Sequence, residues 1–284
     1  MKHAAFAFTA LLALIAPSPL HAEGGVIDLA ALPNYAKQPK PSYIFWNNAT
    51  SDNPTTNTGA TLGRVLFYDK RLSRNNTVSC SSCHQQNHAF GNPDVAGTGV
   101  AGTTGRHPMR LVNARFAQPE FLADRRAPTL ESAVSRPIRS TIELGFSGTN
   151  GDPDFAELIT KLSSLPEYQI LFRAAFGSPA IDEASIQKAL AQFIRSIESF
   201  DSKYDAGAVL VPSISDPFPH FTESENKGKQ IFSTDRTRGG ASCAGCHLTP
   251  HFATSATWNN GVVTKIGGGT DFTVYQSGHL ARPF

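Results

Sequence analysis

Cys80-Ser81-Ser82-Cys83-His84 and Cys243-Ala244-Gly245-Cys246-His247 decide the reading of this chain, and between them they use all four of its cysteines. Two residues separate the cysteines of each pair, which on a helical turn sets the sulfurs about one turn apart on the same side. A histidine follows at once. This is the pattern in which two thiols add to the vinyl groups of a c-type haem and the next imidazole points at the iron. One such pattern arises by chance fairly often. Two of them, consuming every cysteine, make a strong signal.

Three other readings compete. A four-cysteine zinc site would need the pairs at 80–83 and 243–246 brought together across a gap far beyond the usual ~15–20 residues, and would leave both histidines unexplained. Two disulfide loops are compatible with an oxidising compartment, but nothing in them calls for a histidine after each pair. A thioredoxin-like redox site calls for a strand–helix context that the flanking sequence does not supply. The haem reading makes Cys80, Cys83 and His84 one attachment unit and Cys243, Cys246 and His247 the other, with His84 and His247 as axial iron ligands.

An iron held by one histidine has a sixth position. A strong sixth ligand makes an electron carrier, and an open position admits peroxide or oxygen. Beyond the segment 1–22 the only methionine is Met109, so at most one iron can be His/Met. His107 is a second candidate distal ligand. His88 follows the first motif too closely to reach the opposite haem face. Peroxide chemistry would also need a poorly solvated carboxylate to take a proton and return it. Glu143 lies among apolar residues in Ile142-Glu143-Leu144-Gly145-Phe146, a position that the residues alone favour as an exposed turn.

Working outward, the chain has 284 residues, 40% hydrophobic and 17% charged, enough for one large or two modest domains. Its 25 basic and 23 acidic side chains nearly cancel, so no nucleic-acid partner is indicated. Lys2 and His3, the apolar run Ala4–Ile15, Pro17, Pro19 and Leu20-His21-Ala22 read as a signal peptide over 1–22, cleaved before Glu23. That run is short of the ~20 residues needed to span a bilayer, and no later segment is long enough. The expected location is the periplasm, with no membrane span after signal removal.

Residues 23–60 look irregular, and Thr61–Phe67 reads as one short helix. Val95–Thr104 is a Gly-rich turn segment. Phe155, Leu158, Ile159 and Leu162 predict a helix behind Asp152-Pro153, and Ile186, Leu190, Phe193, Ile194 and Ile197 form the clearest amphipathic helix. Val211–Phe221 carries three prolines and reads as a linker. Thr222-Glu223-Ser224-Glu225 looks like a capping box opening a helix through Ile231. No stretch alternates long enough to require a sheet. The expected fold is mostly α: a first domain over 23–210, a linker over 211–221 and a short second domain over 222–284.

The chain resembles the bacterial di-haem cytochrome c peroxidase family, which includes the MauG-type enzymes. The resemblance runs from about Thr61 to Phe252. It rests on Leu62-Gly63-Arg64-Val65-Leu66-Phe67-Tyr68-Asp69 with Arg71-Leu72-Ser73, on Leu111-Val112-Asn113-Ala114-Arg115-Phe116, on Arg126-Ala127-Pro128-Thr129-Leu130-Glu131 with Pro137-Ile138 and Glu143-Leu144-Gly145, and on Asp152–Phe176. It implies two cytochrome c-like domains, one per haem, the second incomplete here. It implies reduction of hydrogen peroxide to water at the N-terminal haem, with Glu143 matching the distal catalytic glutamate. The C-terminal haem would relay electrons from a small cytochrome c or a cupredoxin, and a homodimer is one assembly compatible with the family.

The departures are specific. The family's bridging Trp corresponds to Ala123, a distal glutamine to Ala133, and an asparagine of its calcium site to His107, which leaves calcium open. Residues 248–284 are shorter than the family's tail, and His251, Tyr275 and His279 are the substitute ligands available there. Two other roles therefore stand beside peroxide reduction: a MauG-like oxidase acting on a partner protein, and a non-catalytic electron-transfer cytochrome or truncated remnant.

Overall fold

Helix α6, Glu183–Arg195, is the element against which most of the first part is laid. Asp182 caps it, its carboxylate accepting the Ser185 N–H at 2.7 Å. Ile186, Ala189, Leu190, Phe193 and Ile194 recur at helical spacing and are all buried. The computed structural model describes residues 20–22, 25–117, 121–122 and 127–252.

Helix α1, Asn57–Tyr68, crosses α6 in close contact. It starts at Thr56, whose hydroxyl accepts the Gly59 N–H at 3.0 Å. The approach depends on Gly63: a Cβ there would stand 2.0 Å from the Ala189 carbonyl oxygen. Leu62, Leu66 and Phe67 fill the seam and are essentially solvent-free. The apolar run read as a helix over 61–67 is therefore the buried centre of a longer one.

Four more elements complete this core. Helix α3, Leu130–Ile138, is capped by Thr129 and packs on α6. Helix α4, Phe155–Ser163, is capped by Asp154 rather than starting at Asp152-Pro153, and its Phe155, Leu158 and Leu162 point inward. Helix α5, Pro166–Phe176, follows directly, with Pro166 at its first turn and Gly177 ending it at φ +77°. A short helix α2 coincides with Cys80–Cys83. Strands are minimal: β1 (Leu20–Ala22) pairs antiparallel with β2 (Gly25–Ile27), and β3 (Thr98–Gly99) with β4 (Gly102–Thr103). The segment read only as turn-rich is thus a two-residue hairpin.

A buried polar network ties the N-terminal segment to the helices. Arg195, with no solvent exposure, meets Glu131 at 2.5 and 3.1 Å and donates to Asn48 Oδ1 at 2.9 Å. Asn53 donates to Glu131 at 2.7 Å and accepts from Gln192 at 2.8 Å. Burial alone would raise the Glu131 carboxyl, but the hydrogen bonds from Arg195 and Asn53 outweigh it and hold the group below the usual carboxylate range. A second network joins α1 to α5: Tyr168 donates to Asp69 at 2.6 Å, and Arg71 bridges Asp69 and Glu167 at 2.7 Å each.

Helix α7, Lys203–Ala208, and helix α8, Glu223–Ser233, flank the stretch 211–221. The capping box at Thr222 forms as the sequence predicts, with Thr222 Oγ1 accepting from Glu225 N and Glu225 reaching back to Thr222 N at 2.6 Å. Between the helices, Phe218 is buried, its ring 5.2 Å from Tyr204 and 5.1 Å from Phe221. Lys203 pairs with Glu225 at 2.6 Å. The proline-rich stretch is therefore anchored at Phe218: its ring packs on Tyr204 of α7, and from α8 Asn226 Oδ1 accepts its N–H at 2.8 Å and Lys229 Nζ lies 4.1 Å over its ring. Of the signal peptide expected over 1–22, only the Leu20–Ala22 backbone lies among the described residues.

Candidate haem-attachment and peroxide site

The first cysteine pair sits on one helical turn. The Ser79 N–H donates to Ser82 Oγ at 3.0 Å, opening α2, and the His84 N–H closes it on the Cys80 carbonyl at 2.9 Å. Beyond it the chain folds back: Gln85 N–H reaches the Gly91 carbonyl at 2.7 Å and Phe90 N–H the Gln85 carbonyl at 2.9 Å. Ala89 and Phe90 both take φ +55°, a left-handed conformation that non-glycine residues adopt at a cost. The result is that the Phe90 carbonyl oxygen lies 3.0 Å from His84 Nδ1.

That contact fixes the imidazole. With Nδ1–H donating to a carbonyl, Nε2 carries the lone pair and is the atom able to bind a metal. Burial pushes the His84 pKa down, against the opposing pull of the Phe90 and Met109 carbonyls, which keeps the ring neutral as a ligand must be. Phe67 lies 6.4 Å from the imidazole and packs on Phe90 at 6.0 Å and Phe193 at 5.1 Å. Burial, and then the charges of Cys83 and Glu143, push the Cys80 thiol up to about 12. Burial and the Glu143 charge raise Cys83 as well. Two thiols on one turn, an oriented neutral imidazole and an aromatic wall fit a covalently attached haem.

Glu143 is half-buried in the turn that follows α3. Its N–H donates to Ser140 Oγ at 3.2 Å, and the next residues, Leu144 and Phe146, are buried. Gly145 holds φ +82° with its N–H on the Ser140 carbonyl at 2.8 Å. The hairpin turn between β3 and β4 docks on this loop: Val100 N–H donates to the Glu143 carbonyl at 3.0 Å and Ala101 N–H to the Ile142 carbonyl at 3.2 Å. The hairpin therefore links the Glu143 loop, 59 positions from His84 in the sequence, to the first motif: Gly99 lies against Glu143 and Gly97 against Cys83.

The second motif repeats the local geometry. A 3₁₀ turn spans Cys243–Gly245, and the His247 N–H donates to the Cys243 carbonyl at 2.9 Å, the same distance as in the first. Phe232 of α8 stands 6.3 Å from the His247 ring and 5.7 Å from Phe252. Every residue of α8 keeps some solvent exposure, Ile231 being 40% exposed. A CxxCH turn facing an apolar helix end fits a second haem. His251, four residues on, packs its ring 6.0 Å from Phe116 of the first part, and its Nε2 is buried without a hydrogen-bond partner among the described residues.

The remaining candidates separate. His107 is exposed, its Nδ1 3.0 Å from the Asp94 carbonyl oxygen. Met109 is 43% exposed, and it is its backbone carbonyl that faces His84. His88 is exposed in the 3₁₀ turn Gln86–His88. Ala133 is buried in α3. Ala123, Tyr275 and His279 lie outside the described residues. No group of three or more His, Cys, Asp or Glu able to hold a metal occurs among the described residues. Sequence reading missed the Phe90 carbonyl and the docked hairpin; the glycines at 97, 99 and 102 were the available signal.

Residues 57–208, more than half of the chain, match the family model for the di-haem cytochrome c peroxidases, and the chain belongs to that family. Its cofactor class is c-type haem, and its members are oxidoreductases. Among curated relatives, the chain is 28% identical over 237 residues to the methylamine utilization protein MauG of Methylophilus methylotrophus, covering 83% of this chain and 65% of that protein. It is 27% identical over 206 residues to the cytochrome c551 peroxidase of Nitrosomonas europaea, covering 72% and 55%. A solved structure described as a MauG-like protein associated with microbial copper homeostasis superposes with TM-score 0.62 at 32% identity, covering 76% of this chain and 60% of that one. The chain thus spans between half and two thirds of these proteins' lengths.

Proposed function

We propose that this chain is an exported di-haem peroxidase that reduces hydrogen peroxide at the haem on Cys80, Cys83 and His84. The haem on Cys243, Cys246 and His247 acts as the relay from a small cytochrome c or cupredoxin donor. The observation that supports it most directly is the β3–β4 hairpin, which lies against both Cys83 and the Glu143 loop, with His84 oriented by the Phe90 carbonyl. When bound, the haem supplies the electron exchange with peroxide. His84 Nε2 would hold its iron. Glu143 would accept the proton of the near peroxide oxygen and deliver it to the far one, so that the departing atom leaves as water rather than hydroxide. The overall reaction consumes one peroxide, two electrons from the donor and two protons from solvent, and yields two waters.

The packed rings of Phe67, Phe90 and Phe193 would shield the His84 imidazole from water and so strengthen its hydrogen bond to the Phe90 carbonyl. This reading includes export to the periplasm, supported by the charged start and apolar run of residues 1–22 read as a signal peptide. Among the described residues no helix is long and apolar enough to cross a membrane. The test is direct: holoprotein with both haems, mixed with reduced cytochrome c, should oxidise it on addition of peroxide. Failure to do so from either the fully oxidised or the half-reduced protein removes the peroxidase reading.

The relatives named MauG and the MauG-like structure favour a second reading, oxidation of an aromatic side chain on a partner protein through the same first site. It shares Glu143 and both haems and differs in the electron source. Mass spectrometry of a co-expressed partner would find the oxidised residue, and peroxidase turnover would be weak.

A further inference from the structure

The hairpin β3–β4 is built as a strut. At its base, Gly97 N–H donates to Thr104 Oγ1 at 2.9 Å and Thr104 N–H to the Gly97 carbonyl at 2.8 Å. Thr104 Oγ1 in turn donates to the Arg106 carbonyl at 2.8 Å. That base lies against the first motif: a Cβ on Gly97 would stand 2.7 Å from Cys83 Sγ and 3.1 Å from Pro108 Cγ. At the other end, both N–H groups of the turn, Val100 and Ala101, are spent on the carbonyls of Glu143 and Ile142. A Cβ on Gly99 would stand 2.0 Å from the Ile142 carbonyl oxygen and 2.8 Å from Glu143 Cα. Contacts below about 3 Å at a Cβ do not persist, so something must move if either glycine gains a side chain.

The geometry points to Gly97 and Gly99 as positioning residues that set the distance between Glu143 and the haem edge bonded to Cys83, the hairpin acting as a backbone spacer wedged between the two. This rests on the peroxidase reading of Glu143 given above. Backbone suits the task because its hydrogen bonds run in fixed directions and it has no rotamers to lose. A proton-transferring group must be placed to within a fraction of an ångström, and a misplacement of about 1 Å can lower turnover on the order of 10²-fold. Gly105 is the internal control, since a Cβ there meets nothing within 4 Å.

The experiment uses the full-length holoprotein. Gly99→Ala is expected to retain both haems, lower peroxide turnover ~10- to 100-fold, and shift the acid limb of the turnover–pH profile within the pH range where urea unfolding shows the variant still folded. Gly105→Ala should match the native protein in all three. The double variant Gly99→Ala with Glu143→Gln should be no slower than Glu143→Gln alone, because both act through one group. Native turnover and pH profile in Gly99→Ala, or multiplicative effects in the double variant, overturn the proposal. Unchanged turnover in Glu143→Gln instead removes Glu143 itself. Hydrogen exchange on the native protein provides a readout without activity: the Val100 and Ala101 amides should be protected, and exchange at the free-peptide rate overturns the docked strut even if the glycine variants fail to fold.

Discussion

The His84 Nδ1 lies 3.0 Å from the carbonyl oxygen of Phe90, a residue held with φ +55°. The imidazole is therefore oriented before any metal is considered, with the Phe90 carbonyl on Nδ1 and the Met109 carbonyl also facing the ring. The strained turn at Ala89-Phe90 is what aims the carbonyl.

Cofactor load follows from the two cysteine pairs. The mature chain should carry two haems through four thioether bonds. Denaturing mass spectrometry should find two haem masses on the native protein and one on a variant with both Cys243 and Cys246 changed to Ser. Bare polypeptide mass after expression with the haem-attachment machinery would sink the haem reading.

Glu143→Gln keeps shape and removes the proton-carrying function. It should leave both haems attached and cut peroxide turnover by something like 10²–10⁴-fold, the range for losing a positioned acid–base group. Steady-state turnover with a reduced cytochrome decides it, and an unaltered rate excludes the residue from the mechanism.

Glu131 is held below its ordinary pKa by Arg195 and Asn53, so its contribution to stability is present above the unfolded value and is lost as pH falls through the folded one. Stability should therefore decline below about pH 4.5, where unfolded glutamate takes up its proton. Glu131→Gln strands the fully buried Arg195 guanidinium and should cost about 3–5 kcal/mol at neutral pH, flattening that acid limb. Urea unfolding of the two proteins between pH 3 and 7 gives both numbers; parallel acid limbs would contradict the assignment.

Phe218 is the anchor of the proline-rich stretch between α7 and α8. Phe218→Ala should cost about 3–5 kcal/mol in the packing that it joins, Tyr204 and Phe221 losing their common neighbour. Limited proteolysis should then cut within 211–221 well before the native protein is cut. Equal cleavage rates would mean that this stretch is a loose connector after all.

Much of the fold and site can be read from one dimension. The α6 core face, the Thr222 capping box and both CxxCH turns depend on spacings of three or four residues, which the chain displays directly. The helix behind Asp152-Pro153 was legible too, though its cap is Asp154, because two nearby acidic residues compete for one role. Helices α3 and α5 were harder, since a proline sits inside the last turn of the first and opens the second.

What the sequence determined by itself is the two cysteine pairs, each with its histidine one position on, placed by local helical geometry alone. Tertiary structure decided how that chemistry is surrounded. The Phe90 carbonyl, the Gly97–Thr104 strut and its docking on the Glu143 loop all act through backbone atoms of distant segments. Backbone atoms are the same in every residue, so their partnerships leave no residue-type signature and exist only once the chain has folded.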